Sequence, residues 1–396
     1  MILIVLGQLV INLLGIDIIL LMISLLLIGT STTSGLLRSI VIASLKTRYL
    51  PVIMIVSASA KIIAGVVLVL SGAGALGVIL SFTIYPVLAS ILLAVNIMFI
   101  LRITTTSSHV GIDNPARTLT AASLASWVPA VVSAIGIQLG PIVVFGTEGA
   151  YEAGVYFIAF SVATAVSSFM SVVLTVAVPV LSKLDDGRKR GAWKVIKVSL
   201  LMTTPFSASL IFYSSEVLQL FGSAYLDGSL VLQILLLPLP LIAVSSGMNA
   251  LSYAYGNYRD VLSIGLAASI PRALLYFILV PIFGSTGAAW SYTLGSIIGF
   301  IMALIVARHI RMNIIWRDLF VLSLLPMSIA FTMSYLHVNV FVSAATTIGI
   351  SYALFLKFSF LTRHDIQDLV KVLPAKMSGP VQRALDKIGM KLNGSY

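Results

Sequence analysis

Two basic residues, Lys61 and Arg272, lie in the middle of long apolar runs, 211 positions apart in a chain of 396 residues. A cation at that depth in a bilayer costs about 2.5 to 3.5 kcal/mol and normally faces a water-filled cavity or an anionic partner. The sequence has no Asp or Glu in the middle of an apolar run that could be this partner. Arginine grips phosphate through two parallel N–H donors, and lysine attracts it as a point charge. The pair therefore predicts a site for an anionic ligand.

The same short signature follows each cation, as GALGVILSFTI at 74–84 and GSTGAAWSYTL at 284–294. It begins 13 residues after Lys61 and 12 residues after Arg272. No Lys or Thr follows either glycine string in the arrangement of a phosphate-binding loop. The glycines instead predict a tight turn between paired helices, where Gly permits a positive φ. The chain is therefore interpreted as an internal duplication with one cation at equivalent depth in each copy, both facing the place where the halves meet.

Composition sets the class of protein. Apolar residues make up 59% of the chain, charged residues 9%, and the mean hydropathy is +1.10, which indicates a protein that lives in a bilayer. With no cysteine and no ligand spacing among the four histidines, we expect neither a metal site nor a cofactor. The net charge of +11 is spread over many loops and the tail, which favours contact with anionic headgroups over nucleic acid.

Apolar runs long enough to cross about 30 Å of hydrocarbon predict an all-α polytopic membrane protein with about 12 transmembrane helices. Prolines within or near several of these runs predict kinked or broken helices. The predicted segments are 1–15, 17–44, 51–71, 74–100, 120–145, 151–182, 193–213, 228–254, 261–281, 286–308, 315–335 and 339–360.

Lysine and arginine fall in alternate loops, which predicts a multi-pass protein of the cell (plasma) membrane with both termini cytoplasmic. The expected domains are an incomplete N-terminal lobe of four helices at 1–102, a cytoplasmic interlobe loop at 103–119 and a six-helix C-terminal lobe at 120–311. Two additional helices at 312–360 and a cytoplasmic amphipathic tail at 361–396 follow. Because both copies run in the same direction, they form a parallel repeat. The first copy has two helices fewer than the second, so we expect about two helices to be missing before Met1.

The second half carries four strings in a characteristic order and spacing: GVYFIAF (154–160), VPVLSKL (178–184), FGSAY (221–225) and LVPIFGSTGAAW (279–290). On these strings the chain resembles the polysaccharide exporters, the Wzx-type flippases of the MOP superfamily. That superfamily also contains the MATE-type multidrug exporters and the peptidoglycan lipid flippases. The resemblance implies two parallel-repeat lobes of the MATE type, of which the first is incomplete here, plus two extra C-terminal helices.

The resemblance also implies a function. A protein of this kind moves a polyprenyl-(pyro)phosphate-linked oligosaccharide from the cytoplasmic to the outer leaflet for cell-surface polysaccharide synthesis, with H⁺ or Na⁺ as the candidate coupling ion. The lipid-linked oligosaccharide and the bilayer are then its partners, and it is not an enzyme. A coupling ion usually requires a membrane carboxylate, and only Asp17, at a helix end, comes near that position.

Arg272 and Lys61 are expected to bind the phosphate end of such a substrate. Four polar residues within apolar runs are weaker candidates for contact with the sugar or the cavity: Gln138, Tyr156, Asn249 and Tyr292. The alternative for the amides is hydrogen bonding between helices, and for the tyrosines it is packing in the core or at the membrane interface.

Two other functions remain as alternatives. A MATE-type cation-coupled multidrug exporter would favour buried carboxylates over buried cations. A membrane glycosyltransferase or polymerase needs acidic or histidine groups on a sizeable outer loop. The longest predicted outer loop, 214–227, carries only Glu216 and Asp227. Both alternatives therefore fit the sequence less well than a flippase does.

Overall fold

A computed structural model of the chain describes residues 18–43, 49–103, 115–184 and 186–358. Within these ranges the regular elements are helices, and no strand occurs. The predicted helix at 1–15 and the amphipathic tail at 361–396 lie outside the described residues. The chain divides into two compact units, Met1–Asp113 and Asn114–Tyr396, and each is described here by itself.

The described residues of the first unit form three long helices. They are α1 (Ile18–Ala43), α2 (Leu50–Leu68) and α3 (Gly74–Ile103), with a π-helical turn at Val69–Ala73 between the last two. Helix α3 packs against both α1 and α2. Val41, Ile53 and Leu93, one from each helix, form the small buried core among the described residues of this unit.

In the second unit, the part that the structure describes forms nine helices and a 3₁₀ turn at Ser223–Gly228. Helix α6 is buried along most of its length and packs against α5, α9, α11 and α12. Its Thr203 and Thr204 donate to carbonyls one turn earlier, and small satisfied side chains of this kind let membrane helices approach closely. The helices are α4 (Pro115–Glu148), α5 (Ala150–Lys183), α6 (Arg188–Phe212), α7 (Ser214–Gln219), α8 (Ser229–Leu236), α9 (Leu239–Ala254), α10 (Tyr258–His309), α11 (Trp316–Tyr335) and α12 (Val340–Lys357).

The span predicted at 228–254 is broken in the structure. Helices α8 and α9 meet at an angle of 42° around Pro238. Proline has no N–H to continue the hydrogen-bond ladder and its ring disturbs the preceding turn, so it both ends α8 and begins α9. The expectation that prolines break some of the predicted spans is met here, at Pro238.

Helix α10 is a hairpin. Gly284 has φ 56° and ψ −137°, which is not helical and favours glycine. A Cβ on Gly295 would lie 2.6 Å from Cβ of Arg272, and one on Gly299 would lie 2.7 Å from Cβ of Ala268. Both close pairs, Gly295 with Arg272 and Gly299 with Ala268, are centred on the turn at Gly284. The first arm (258–283) and the second arm (285–309) therefore run antiparallel. These arms contain the spans predicted at 261–281 and 286–308.

Helices α2 and α3 form the matching hairpin of the first unit. Gly74 has φ 51° and ψ −133°, the same unusual conformation as Gly284 at the equivalent position of the signature. The prediction of a glycine turn at both signatures is therefore confirmed. The first hairpin also holds one extra residue, because Leu68 and Leu279 are offset by 211 but Gly74 and Gly284 by 210. A π-helical turn accommodates one more residue than an α-helical turn, and Val69–Ala73 is that turn.

Eight helices of the described residues are long and apolar enough to cross a membrane, or nine if the bent pair α8–α9 counts as one span. Helix α10 counts once in that number, although each of its arms is long enough to cross. The all-α polytopic membrane fold is thus confirmed, while the total of 12 helices stays a prediction. The domain boundaries also stay predictions, although α4 already begins at Pro115, within the predicted loop 103–119.

Candidate functional site

Arg272 lies on the first arm of α10, one turn after Ala268, and its side chain lies against the second arm. The absent side chain of Gly295 lets the two arms come close enough for this contact. Arg272 Nη2 donates to Ser296 Oγ at 3.0 Å, and the guanidinium carbon lies 4.3 Å from the ring centroid of Tyr292. The cation therefore has a hydroxyl and an aromatic face as partners within its own hairpin.

These contacts offset most of the cost of burying Arg272, which is 5% exposed. A cation in the membrane interior costs about 2.5 to 3.5 kcal/mol. A desolvated cation–π contact contributes about 2 kcal/mol, and a hydrogen bond to a hydroxyl contributes about 1 kcal/mol. Neither partner carries a negative charge, so the positive charge of Arg272 is held in place but not neutralised.

Lys61 in the first hairpin makes the equivalent contact. Its Nζ lies 3.5 Å from the ring centroid of Phe82, which occupies the same place in the first signature as Tyr292 does in the second. Lys61 is half-buried and Phe82 is 46% exposed, so this pair is less desolvated than Arg272 and Tyr292. In each copy of the duplication, the cation of one helix therefore stacks on the signature aromatic of the next.

Tyr156 is completely buried, at the centre of an aromatic group in the second unit. Its ring stacks on Phe160 with centroids 5.8 Å apart, and the edge of Phe160 meets Tyr292 at the same distance. Tyr276, also completely buried, follows Arg272 by one helical turn. The hydroxyls of Tyr156 and Tyr276 lie 2.8 and 3.1 Å from the position that a Cβ on Gly140 would take. Because Gly140 has no side chain, both hydroxyls fit against its backbone.

The other predicted site residues are dispersed. Gln138 is exposed on α4, and half-buried Asn249 lies on α9 with no hydrogen-bond partner for its Oδ1 in the part of the chain that the structure describes. Tyr156 presents no open face to a sugar in this conformation, because it is fully buried. Of the six predicted residues, the structure brings Arg272, Tyr292 and Tyr156 together. The roles of all six stay predictions.

Sequence reasoning missed the partners of the cations because it looked only for carboxylates. Phe82 and Tyr292 were visible as the aromatic position of the repeated signature, and their recurrence was the signal that could have found them. Ser296 and Tyr276 carried no such signal, since one lies beyond the signature and the other precedes it. Only the folded hairpin shows that both lie beside Arg272.

Two acidic side chains lie at the turn of the second hairpin. Glu152 accepts a hydrogen bond from Ser285 Oγ at 2.6 Å, next to Gly284. The side-chain carbons of Glu148 lie 3.7 Å from the position of a Cβ on Gly284. The hydrogen bond fixes the turn to the start of α5. Within the described ranges, no three histidine, aspartate or glutamate side chains are gathered closely enough to hold a metal ion.

No protein-family model matches the sequence, and no curated protein matches it significantly. The fold is similar to the solved structure of the lipid II flippase MurJ in an inward closed conformation. The TM-score is 0.60 and the sequence identity 18%, over 85% of this chain and 74% of that one. At this identity the similarity establishes the fold alone, and it agrees with the all-helical membrane architecture described above.

Proposed function

We propose that this protein is a flippase that carries a polyprenyl-(pyro)phosphate-linked oligosaccharide from the cytoplasmic to the outer leaflet. Arg272 and Lys61 hold the phosphate end of the substrate, while the polyprenyl chain stays in the bilayer. Polar side chains such as Gln138 and Asn249 meet the sugar. The coupling ion is H⁺ or Na⁺. The membrane fold and its similarity to a structure described as a lipid II flippase support a lipid-linked substrate in general.

One observation carries the proposal: each copy of the duplication places a cation on an aromatic ring within an apolar hairpin, with no carboxylate in either run. A cation–π contact tolerates the charge but does not cancel it, so an anionic ligand still gains by binding there. A drug exporter for organic cations has no use for such charges. An enzyme would need acid or base groups that these hairpins do not carry.

Burial gives the two cations different roles. Arg272 is enclosed in this conformation, so it reaches the phosphate only when the second unit opens, as expected of a carrier that alternates between two states. Lys61 is half-buried and accessible without a large rearrangement. We therefore expect Lys61 to assist first contact with the phosphate and Arg272 to contribute more to the affinity of the opened state.

The test is transport by the full chain reconstituted in liposomes. A fluorescent polyprenyl-pyrophosphate-linked oligosaccharide is placed in both leaflets, and a membrane-impermeant quencher reports the fraction that crosses. Arg272→Ala removes charge-assisted hydrogen bonds and should lower the transport rate by roughly tenfold or more. Lys61→Ala should lower it less, because its pair is more exposed.

Arg259→Ala is the matched control, since Arg259 is an exposed arginine near the start of the same helix. It should transport at the rate of the unchanged chain. Normal transport by both Arg272→Ala and Lys61→Ala would remove the proposed phosphate site. Transport of a fluorescent organic cation in place of the lipid would favour the multidrug exporter instead.

A further inference from the structure

Ten side-chain polar atoms of the second unit are buried without a well-formed hydrogen bond in the described part of the chain, and three of them lie in one region. These three are the hydroxyls of Tyr156 and Tyr276 and Nε of Arg272, here called the donor cluster. Both tyrosines are 0% exposed and the arginine is 5% exposed. Most buried polar groups in folded proteins are paired, because an unpaired one keeps the cost of its desolvation. The two tyrosine hydroxyls are close enough for a weak contact with each other, which can use only one of their two O–H groups. The other O–H and Nε of Arg272 therefore need a further acceptor.

The three atoms of the donor cluster lie in the same region of the second unit. The two hydroxyls share the space over Gly140, and Arg272 lies one turn before Tyr276 on the same helical face. Tyr156 connects to Arg272 from the other side, through the stacked ring of Phe160 and then Tyr292. Because Tyr156, Tyr276 and Arg272 are all buried, a group that binds the donor cluster is shielded from water.

The chemistry of the donor cluster selects its occupant. The arginine N–H can only donate, and each tyrosine hydroxyl donates readily. The group carries one positive charge and no negative one, so a neutral water would fill the hydrogen bonds but leave the charge uncompensated. An anionic oxygen accepts all three bonds and compensates the charge as well.

We propose that Tyr156 and Tyr276 complete an enclosed subsite around Arg272 that takes one oxygen of a phosphoryl group. This proposal rests on the proposed function and extends it, because it assigns anion recognition to two tyrosine hydroxyls. The phosphoryl group can belong to the lipid-linked substrate or to free phosphate in solution. Tyr292 and Ser296 then hold the guanidinium, while the two hydroxyls decide how tightly the anion is bound.

The experiment uses the full chain in lipid nanodiscs with two probes, polyprenyl pyrophosphate and inorganic pyrophosphate. Affinity is measured by titration, and thermal stability is measured with and without each probe. Tyr156→Phe and Tyr276→Phe should each weaken binding by about tenfold, because each removes one hydrogen bond to a charged group. Without a probe, each variant should melt only slightly below the unchanged chain, since the hydroxyl it loses makes at most a weak contact with the other tyrosine hydroxyl.

Tyr213→Phe is the matched control. The Tyr213 hydroxyl donates to the carbonyl of Val338 at 2.9 Å, away from the donor cluster. Its removal should lower the melting temperature and leave the affinity for either probe unchanged. The control thus separates a structural hydroxyl from a ligand-binding one, with the same chemical change in both.

The outcomes distinguish the two proposals. If Arg272→Gln abolishes binding but the double Tyr→Phe variant binds normally, the tyrosine subsite is wrong and the flippase proposal stands. A melting temperature that falls as far in Tyr156→Phe and Tyr276→Phe as in Tyr213→Phe, without a probe, would also overturn the subsite, because the hydroxyls would then be structural. No binding of either probe by the unchanged chain would overturn both proposals. Tyrosine-dependent binding of polyprenyl pyrophosphate alone identifies the lipid as the source, and equal binding of both probes identifies free phosphate.

Discussion

The two hairpins of the duplication have the same backbone turn and differ in how far their cations are buried from solvent. Both turn at a glycine of the same conformation, at Gly74 and Gly284, and both lay a cation on the signature aromatic. In the second hairpin Arg272 is almost fully buried and bonded to Ser296. The equivalent of Ser296 in the first hairpin is Pro86, which has no hydroxyl, and Lys61 is only half-buried.

The two copies share the contact between the cation and the aromatic ring, and they differ in the polar groups around it. The aromatic ring remained, because its face attracts an ammonium or a guanidinium alike. Ser296 and Tyr276 belong to the second copy alone, because Pro86 and Gly65 occupy their positions in the first copy. The shared part of the site therefore holds a cation in the membrane, and the specialised part adds hydrogen-bond donors beside it.

The largest expected difference between the hairpins is in the stability lost when a closely packed glycine of each is replaced by alanine. A Cβ on Gly287 would lie 2.2 Å from the carbonyl oxygen of Leu279, whereas one on Gly77 would lie 2.9 Å from Cβ of Leu68. Backbone cannot move aside without opening the turn, so Gly287→Ala should lower the free energy of unfolding by about 3 kcal/mol and Gly77→Ala by about 1 kcal/mol. Unfolding by SDS in mixed micelles, followed by circular dichroism, measures both.

Gly349→Ala serves as the control for this pair, because Gly349 lies within α12 and has open space around it. It should leave the protein as stable as before or slightly more so, since alanine favours a helix. Equal losses at Gly77 and Gly287 would mean that the two hairpins are packed alike, against the difference described here.

Coupling between cation and ring is the next largest effect. Double-mutant cycles that combine Arg272→Met with Tyr292→Leu, and Lys61→Met with Phe82→Leu, isolate each pairwise term. We expect a coupling energy of about 2 kcal/mol for the buried pair of Arg272 and Tyr292, and of about 0.5 to 1 kcal/mol for the less buried pair of Lys61 and Phe82. Unfolding free energies of the four variants of each cycle provide the measurement. A larger coupling energy for Lys61 and Phe82 would contradict the expectation that the more buried pair interacts more strongly.

Deletion of Gly72 is the smallest perturbation, and it would make the first hairpin as short as the second. Gly72 lies in the π-helical turn with φ 88° and open space around it. If that turn only absorbs an inserted residue, its removal should restore an α-helical turn and change the unfolding free energy by less than about 1 kcal/mol. Loss of folded protein on size-exclusion chromatography would show instead that the extra residue supports the first unit.

Much of the architecture could be predicted from the sequence. Apolar runs located described helices to within a few residues, as for 315–335 against α11 (Trp316–Tyr335), because the bilayer thickness fixes the length of a spanning helix. The glycines at 74 and 284 predicted their own turns, because that backbone conformation favours glycine. Prolines predicted the break between α8 and α9 by removing a hydrogen-bond donor.

The candidate site was predictable only in part. Lys61 and Arg272 stood out because a charge within an apolar run is costly wherever it points. Their partners did not stand out. Gly140, Tyr156 and Tyr276 come from three different helices, with Tyr276 120 residues after Tyr156, and nothing in the pattern of any one helix shows that they meet.

The sequence by itself thus determined that the chain is helical, membrane-embedded and duplicated, and that each copy carries a buried cation. Tertiary structure alone decided that these cations rest on aromatic rings, that Tyr156 is enclosed and that unpaired donors gather around Arg272. The reason is physical. Lipid and protein interior are both apolar, so a membrane helix carries no polar stripe to mark which face meets its neighbours, and only packing reveals it.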